Sequence, residues 1–350
     1  MKNIIKIVIV MLTSISLFTS AYAGDLKVTG TAKATYNILT GKNQNASKGL
    51  GVENEINFVA AGDTALGKWA YKMALDPNST DGTALNDDTT LTLATSYGTL
   101  GFFMLDGGLS VQNGASNSVY GRPTDIGDPS GVVNSPAIDA YNNIQYHTPA
   151  GILPFGIQGK VAYAPSLDTT INAANGSGAS TTKGVDNKGS NAVQYQLSTT
   201  PIAGLSISAD YIGFRDGGTG VASTTSQKEE AGSIAAKYAV GPVKIGYSES
   251  RYSPMLAVGT TGTVEWYDQD NMSIAFAVNK DLSVSYEQER SERHYYNKAT
   301  LNVEQKSSAI QAAYTMGGMT MAVSHGSYKN NAYVAADNAD QTLFAVTIAF

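Results

Sequence analysis

MSIAFAVNKDLSVSY, residues Met272–Tyr286, contains the pattern that decides the fold. In Met272–Val278 and in Leu282–Tyr286, a large apolar side chain occupies every second position, with Ser or Ala between. A period of two is typical of a β-strand with one apolar face, and no helical stripe of comparable length competes. Because only Asn279–Asp281 separates the two runs, the stretch predicts two adjacent strands joined by a short turn.

Runs with this alternation recur along the chain, and we count sixteen of them. They are Val28–Tyr36, Ile56–Ala60, Trp69–Leu75, Thr90–Thr95, Thr99–Leu105, Asn143–Thr148, Ile157–Tyr163, Val193–Leu197, Leu205–Tyr211, Ser233–Tyr238, Val243–Tyr247, Met272–Val278, Leu282–Tyr286, Ser308–Tyr314, Met319–Val323 and Thr342–Phe350. One phase carries Leu, Ile, Val, Met, Phe and Tyr, and the other carries Ser, Thr, Gly, Ala, Gln and Lys. A soluble β-sandwich also alternates in this way, so the runs alone leave the class of β-protein open.

The connections between the runs separate these classes, because short and long ones alternate. Seven are short, such as Ser96–Gly98, and eight are long and polar, such as Ala164–Asn191 and Gln288–Lys306. Short turns at one end and long loops at the other are typical of outer-membrane barrels. An even strand count also lets the first and last strands pair and leaves no open edge. The sequence therefore predicts an all-β fold, a 16-stranded antiparallel transmembrane β-barrel.

Tyrosines and the C-terminal run support this prediction. Gln341–Phe350 places Phe344, Val346, Ile348 and the terminal Phe350 in one apolar phase, so we expect the last strand to close the barrel against the first. Tyrosines recur at strand ends in the apolar phase, as in the aromatic girdles of membrane barrels. They are Tyr36, Tyr163, Tyr195, Tyr211, Tyr238, Tyr247, Tyr286 and Tyr314.

The N-terminus reads as a secretory signal peptide, Met1–Ala23. Two lysines precede an apolar run, Ile7–Phe18, and Ala21–Ala23 fits the small-residue cleavage pattern. The run is too short for a spanning helix. We therefore expect export with cleavage near Ala23, which leaves residues 24–350 as the barrel.

The longest connection between two runs is Asp106–Tyr141, rich in Gly, Pro, Ser and Asn. A connection this long usually carries function. Its ionisable side chains are Asp106, Arg122, Asp125, Asp128 and Asp139. We expect this segment to fold into the barrel mouth and narrow a water-filled pore, and a mobile surface loop is the alternative.

Composition and motifs exclude several other functions. The chain has no cysteine, and it has no basic stripe of the kind that binds nucleic acid. The three histidines lack zinc-type spacing, and no catalytic motif or phosphate-binding loop is present, so we expect neither enzyme activity nor a cofactor. Asp76–Gly82 resembles a calcium loop, but its glycine is one place late and no Glu closes it, which favours a polar turn. Glu229–Glu230 and Gln288–Arg293 read as solvated loop charges.

Three features together carry a family resemblance. They are the signal followed by a first strand at Lys27–Tyr36, the pair Tyr141–Pro149 (YNNIQYHTP) and Ile157–Pro165 (IQGKVAYAP), and the terminal Phe350. With these features the chain resembles the general diffusion porins of Gram-negative outer membranes, most closely the alphaproteobacterial type. The resemblance implies a homotrimer whose third external loop folds inward as an eyelet. It also implies contacts with outer-membrane lipids, lipopolysaccharide and the outer-membrane assembly machinery, which in similar porins reads the terminal strand.

Similar porins set acids of this loop against bases on the facing wall. The resemblance maps the acids onto Asp106, Asp125, Asp128 and Asp139, and the bases onto Lys27, Lys33, Lys68, Lys72 and, within the loop, Arg122. Here the early strands carry lysine where many relatives carry a cluster of arginines.

The function expected from these features is passive diffusion of small hydrophilic solutes and ions, sieved by the charged eyelet. Two alternatives remain open, namely a substrate-specific channel with a binding track and a closed structural or adhesive barrel. The excess of acidic residues, a net charge of -6, favours a mild cation preference.

Overall fold

The structure is a computed structural model that describes residues 26–41, 47–75, 87–126, 131–167, 191–215, 225–254, 256–257, 262–298 and 301–350. Its strands are β1 Leu26–Gly41, β2 Ser47–Thr64, β3 Gly67–Leu75, β4 Asp87–Thr95, β5 Gly98–Met104, β6 Asn143–His147, β7 Gln158–Ala164, β8 Asn191–Ile202, β9 Leu205–Arg215, β10 Thr225–Gln227, β11 Glu230–Val240, β12 Val243–Ser253, β13 Leu256–Ala257, β14 Val264–Ala277, β15 Leu282–Tyr295, β16 Val303–Met316, β17 Met319–Lys329 and β18 Ala339–Ala349. Short 3₁₀ turns lie at Ile138–Ala140, Pro154–Gly156 and Asn331–Tyr333.

Sixteen of these strands form one closed antiparallel barrel, as the alternation predicts. Each barrel strand pairs with the barrel strands before and after it in the chain, and β1 pairs with β18. The strands β10 and β13 form a separate two-stranded sheet. No helix among the described residues is long and apolar enough to cross a membrane. The signal peptide, the calcium-like turn Asp76–Gly82 and Asp128 lie outside the described residues, so these expectations remain predictions.

The barrel closes between β1 and β18, which confirms the expected pairing of the last strand with the first. Val346 lies opposite Ala34, and Ile348 lies opposite Ala32. At the end of this seam, the Phe350 amide donates to the Gly30 carbonyl at 3.0 Å, and the Gly30 amide donates to the Phe350 carbonyl at 2.8 Å. The Phe350 ring lies over Gly30, where a Cβ would come within 2.8 Å of it.

The strand register separates an outer face from an inner face. Tyr247, Met272 and Tyr286 are neighbours on β12, β14 and β15, and all three are exposed. This phase, the outer face, carries the large apolar side chains and, within the described strands, eight exposed tyrosines, Tyr146, Tyr163, Tyr195, Tyr211, Tyr238, Tyr247, Tyr286 and Tyr314. The opposite phase, the inner face, carries small and polar side chains. The alternation that is visible in the sequence therefore corresponds to the two faces of the barrel wall.

Several strands extend further at the long-loop end than the sequence predicts. β15 continues to Tyr295 and β16 begins at Val303, so most of the expected loop Gln288–Lys306 is strand. The interpretation of Gln288–Arg293 as solvated loop charges is therefore wrong. The hydrogen-bond ladder continues past the apolar band, and there the outer positions carry charges such as Arg290, which makes the sequence resemble a loop.

Glu229 is a further correction, and Glu230, although exposed, lies on a strand and not in a loop. Glu229 is buried and its carboxylate accepts a hydrogen bond from the Tyr252 hydroxyl at 2.9 Å. Glu230 is the first residue of β11 and accepts a hydrogen bond from the Tyr211 hydroxyl at 2.6 Å. Both carboxylates have tyrosine partners on neighbouring strands, which a reading of the sequence alone does not show.

Candidate functional site

The segment between β5 and β6 follows the inner face from strand to strand. Its first half passes along the wall in the order in which the strands are arranged in the barrel. In chain order, the hydrogen bonds join the Leu109 carbonyl to Gln196 on β8 (2.8 Å), the Val111 amide to Asp210 on β9 (2.8 Å), the Gln112 carbonyl to Ser248 on β12 (2.6 Å), the Ala115 carbonyl to Ser273 on β14 (2.5 Å), the Val119 amide to Ser285 on β15 (3.0 Å), the Tyr120 amide to Gln311 on β16 (3.1 Å), the Pro123 carbonyl to Tyr328 on β17 (2.9 Å) and the Ile126 carbonyl to Gln341 on β18 (3.1 Å).

These bonds explain why the inner face of β8–β18 is rich in Gln, Ser, Asp and Tyr. An irregular segment cannot pair its own amides and carbonyls, and buried backbone groups require partners. The wall side chains supply both kinds of partner, since Ser273 donates to a carbonyl and Asp210 accepts from an amide. The segment therefore has a defined course along the wall although it contains almost no regular structure.

The second half of the segment returns towards β6. The Ser135 amide donates to the Gln112 side chain at 2.7 Å, and the Ile138 amide donates to Gln194 at 2.9 Å. At the base, the Asn143 amide group donates to the carbonyls of Asp106, Ile138 and Tyr141. Asn143 thus joins the two ends of the segment at the start of β6.

Close packing holds the middle of the segment against β11 and β12. A Cβ added to Gly246 would come within 2.0 Å of the Ala115 carbonyl oxygen, and one added to Gly114 would come within 2.9 Å of the Ala235 Cβ. Both glycines therefore allow an approach of segment and wall that a larger residue would prevent.

An ion pair fixes the tip of the segment. Arg122 Nη1 lies 2.7 Å from Glu289 Oε1 on β15, and the guanidinium also binds Asp125. The second Glu289 oxygen accepts from the Thr124 amide at 2.9 Å. The Arg122 and Glu289 side chains are 14% and 8% exposed, so this pair is largely shielded from water.

A second carboxylate on β15, Glu287, bonds the middle of the segment. It accepts hydrogen bonds from Ser116 at 2.6 Å, from Ser118 at 2.5 Å and from Asn271 at 2.5 Å. Neither Glu287 nor Glu289 is among the residues expected from the sequence. Both belong to the polar phase of the run that begins at Leu282, so extending the period of two through Arg293 would have found them.

The structure divides the expected acids between the base and the tip. Asp106 lies at the base, where its carboxylate accepts from the Gly107 amide at 2.6 Å. Asp139, in the 3₁₀ turn, lies nearby and is partly buried. Burial raises the pKa of Asp139, its backbone hydrogen bonds lower this pKa, and the charge of Asp106 raises it. Asp125 pairs with Arg122 at the tip.

The four expected lysines lie on the inner face of β1 and β3. Lys27 and Lys72 both lie opposite Val59 of β2, and Lys68 lies opposite Asp63. Lys33 forms an ion pair with Glu53 of β2 at 2.5 Å.

The charges of Lys33 and Glu53 both act on the hydroxyl of Tyr120 in the segment. Burial raises the pKa of the Tyr120 hydroxyl, the Lys33 charge lowers it and the Glu53 charge raises it. Tyr120 of the segment is thus close to a wall pair of mixed sign.

An aromatic cluster lies at the long-loop end of the inner face. The Arg293 guanidinium is 4.1 Å from the Tyr333 ring and 5.7 Å from the Tyr267 ring, and Tyr252 stacks on Tyr267 with ring centroids 5.7 Å apart. The Tyr333 hydroxyl accepts from the Val133 amide at 3.3 Å. Tyr267 and Tyr333 are buried, so these rings pack against one another and against the segment.

No protein-family model matches the chain, and no curated protein matches it. Solved structures do. An anion-selective porin from Comamonas acidovorans has a TM-score of 0.66 and 12% identity, with 93% of this chain and 100% of that chain covered. OmpF of Salmonella typhi, in complex with daunomycin, has a TM-score of 0.64 and 13% identity, covering 93% and 98%. OmpT, an outer membrane protein of Vibrio cholerae in its trimer form, has a TM-score of 0.60 and 12% identity, covering 94% and 100%. At these identities the likeness establishes the fold.

Proposed function

We propose that this protein is a water-filled channel of the Gram-negative outer membrane, through which small hydrophilic solutes and ions diffuse passively. The observation that carries the proposal is the course of the segment Asp106–Tyr141 along the inner face, with at least one hydrogen bond to each of β8, β9, β12 and β14–β18. A segment held in this way occupies part of the lumen at a defined place. The segment would therefore narrow the channel.

Barrel size supports an open lumen beside the segment. Barrels of about sixteen to eighteen strands enclose an aqueous channel, because their diameter exceeds what side chains can fill. In our proposal, the passage runs between the segment and the wall of β1–β5. That wall carries Lys27, Lys33, Lys68 and Lys72, together with the Glu53 carboxylate. Charges on the two sides of a narrow passage would bias which ions pass.

The outer face supports the membrane location. Its apolar side chains are exposed around the barrel, and tyrosines lie near strand ends, where amphipathic rings favour a membrane–water interface. We propose that the barrel assembles as a homotrimer with lipopolysaccharide and lipids around it, inserted by the outer-membrane assembly machinery. Support for a trimer comes from the OmpT fold, which has been solved in a trimer form.

Two other functions are weaker fits. A substrate-specific channel would present aromatic rings along the passage, whereas Phe214, Tyr267 and Tyr333 are buried in packing contacts. A closed structural barrel would fill the lumen entirely.

Reconstitution in a planar bilayer tests the proposal directly. We expect stepwise conductance that rises in proportion to salt concentration. We also expect that no neutral sugar blocks this conductance in a saturable way. Absence of steps from a folded, heat-modifiable protein would contradict the channel. Steps that one sugar blocks in a saturable way would favour the substrate-specific alternative.

Asp125→Asn tests whether the tip of the segment lines the passage. Removing this carboxylate leaves the Arg122 charge less compensated, so the zero-current potential in a salt gradient should shift towards anions. Glu304→Gln is the matched control, because Glu304 shares the outer face of β16 with the exposed Ile310. An equal shift from the control would show that the tip does not line the constriction.

A further inference from the structure

A recess of about 550 Å³ lies beneath the segment, on the short-turn side of the inner face. Its roof is Ser116–Val119 of the segment. Its walls come from β11, β12 and β14–β17 and from the turns between them. Ala275 and Ala313 are small inner-face residues that line it.

Three lysines line this recess, namely Lys237 of β11, Lys244 of β12 and Lys280 in the turn before β15. Lys237 lies opposite Gly246 and Lys244 lies opposite Ala239, so the two lysines are diagonal neighbours on one face. Their ammonium groups are within electrostatic range of each other. Gly246, the cross-strand partner of Lys237, has no side chain, and the Ala115 carbonyl oxygen of the segment lies over it.

The nearby acids leave this positive charge largely uncompensated. Lys280 pairs with Asp281 at 3.5 Å, but neither Lys237 nor Lys244 forms an ion pair within the part of the chain that the structure describes. Glu287 is within electrostatic range of Lys237. Its carboxylate already accepts from Ser116, Ser118 and Asn271, which fixes it against the segment.

We propose that this recess is a binding site for small oxyanions that carry two negative charges, such as phosphate or the phosphate group of a small solute. Two neighbouring ammonium groups repel each other, and a dianion between them relieves that repulsion while receiving their N–H groups. The hydroxyls of Ser283, Thr315 and Thr320 line the same recess and can donate to further anion oxygens. The proposal rests on the channel function, because the anion would reach the site through the lumen.

The rest of the inner face on the short-turn side has the same sign. It carries Lys27, Lys68, Lys72 and Lys160 in addition to the three lysines of the recess, against Asp63, Asp281 and Glu287. A net charge of -6 for the whole chain therefore gives the wrong sign for this region, since many acids lie on the outer face or within the ion pairs of the segment. The local charges set the field that an ion meets.

Single-channel recording with inorganic phosphate tests the site. In potassium chloride at mildly alkaline pH, where phosphate is mainly a dianion, added phosphate should reduce the chloride current in a saturable way. In Lys237→Gln/Lys244→Gln the half-saturating concentration should rise by about ten-fold, because two ammonium–anion contacts of modest strength are lost. Lys237→Arg/Lys244→Arg, which keeps both charges, should retain saturation.

Lys306→Gln/Lys329→Gln is the matched control, since these two lysines lie opposite each other on the outer face. It should leave the phosphate effect unchanged. Conductance in chloride without any phosphate effect, or an equal effect in Lys237→Gln/Lys244→Gln, would overturn the anion site and leave the channel intact. Absence of chloride conductance in every variant would instead overturn the channel function, and heat-modifiable gel mobility shows that each variant is folded.

Discussion

Gly246 of β12 lies very close to Ala115 of the segment Asp106–Tyr141. A Cβ on Gly246 would come within 2.0 Å of the Ala115 carbonyl oxygen. The same carbonyl accepts a hydrogen bond from Ser273 at 2.5 Å. The Ala115 carbonyl therefore reaches Ser273 on β14 only because residue 246 of β12 has no side chain in its way.

Gly246→Ala should displace the segment and change the channel. The added methyl group cannot be accommodated without moving the Ala115 carbonyl, so the Ser273 bond should be weakened and the single-channel conductance altered, with a lower heat-modification temperature. Gly49→Ala is the control, because nothing lies within 4 Å of a Cβ at that position. An unchanged conductance in Gly246→Ala would show that the segment is placed differently.

Arg122→Gln should destabilise the tip of the segment strongly. It leaves Glu289, 8% exposed, without its cation, and removing one partner of a buried ion pair typically costs about 3–5 kcal/mol. We expect increased current noise and a lower free energy of unfolding in urea. Arg251→Gln breaks an exposed pair with Asp268 and should cost at most about 1 kcal/mol. Similar costs for the two variants would contradict the burial of the Arg122–Glu289 pair.

Asp139→Asn should stabilise the protein at neutral pH. Burial raises the pKa of Asp139 above its ordinary value of 3.8, so the protonated carboxyl is the form that the fold favours. The stability contributed by this group is fully present below pH 3.8 and is lost as the pH rises through the raised pKa. The advantage of Asp139→Asn over the parent should therefore vanish on acidification.

The measurement is the midpoint of heat-induced unfolding over a pH series. Asp340→Asn, at an exposed carboxylate on β18, serves as the control. An advantage of Asp139→Asn that is independent of pH would argue against burial of the carboxyl as the cause.

Deletion of Phe350 should reduce the amount of folded protein in the outer membrane. Phe350 makes the last two backbone hydrogen bonds of the β1–β18 seam, and its ring covers Gly30. Phe350→Tyr keeps both contacts and should assemble normally. Quantifying heat-modifiable protein in membrane fractions compares the variants, and normal levels after the deletion would contradict a role for Phe350 in closure.

The barrel could be predicted because the period of two holds along most of the apolar band, with local register shifts such as the one between Lys72 and Ala74. Met272 and Tyr286 face outward together, and so do Tyr247 and its neighbours, so each strand repeats the same signal. Strand ends could not be predicted in this way. Above the apolar band the outer positions carry Asp268, Arg290 or Lys306, and a charged outer face gives a strand the composition of a loop.

The segment Asp106–Tyr141 could be located in the sequence, but its contacts with the wall could not be predicted from it. Its partners are far away in the chain, as with Val111 and Asp210, and no local pattern relates them. The ion pair of Lys33 with Glu53 likewise depends on the β1–β2 register, which the sequence leaves open. The opposition of Asp106, Asp125, Asp128 and Asp139 to the wall lysines remains a prediction.

The course of the segment along the wall also constrains the order of assembly. The wall bonds of its first half connect residues from 87 positions apart, at β8, to 215 positions apart, at β18. Contacts of such large sequence separation form late in folding, because the chain between them must first be ordered. Every one of these wall partners is C-terminal to the segment, so the segment cannot reach its final position until β18 has joined the barrel. For the proposed channel, we therefore expect nascent barrels to pass through a wide, leaky stage and to narrow only when the segment has reached its final position.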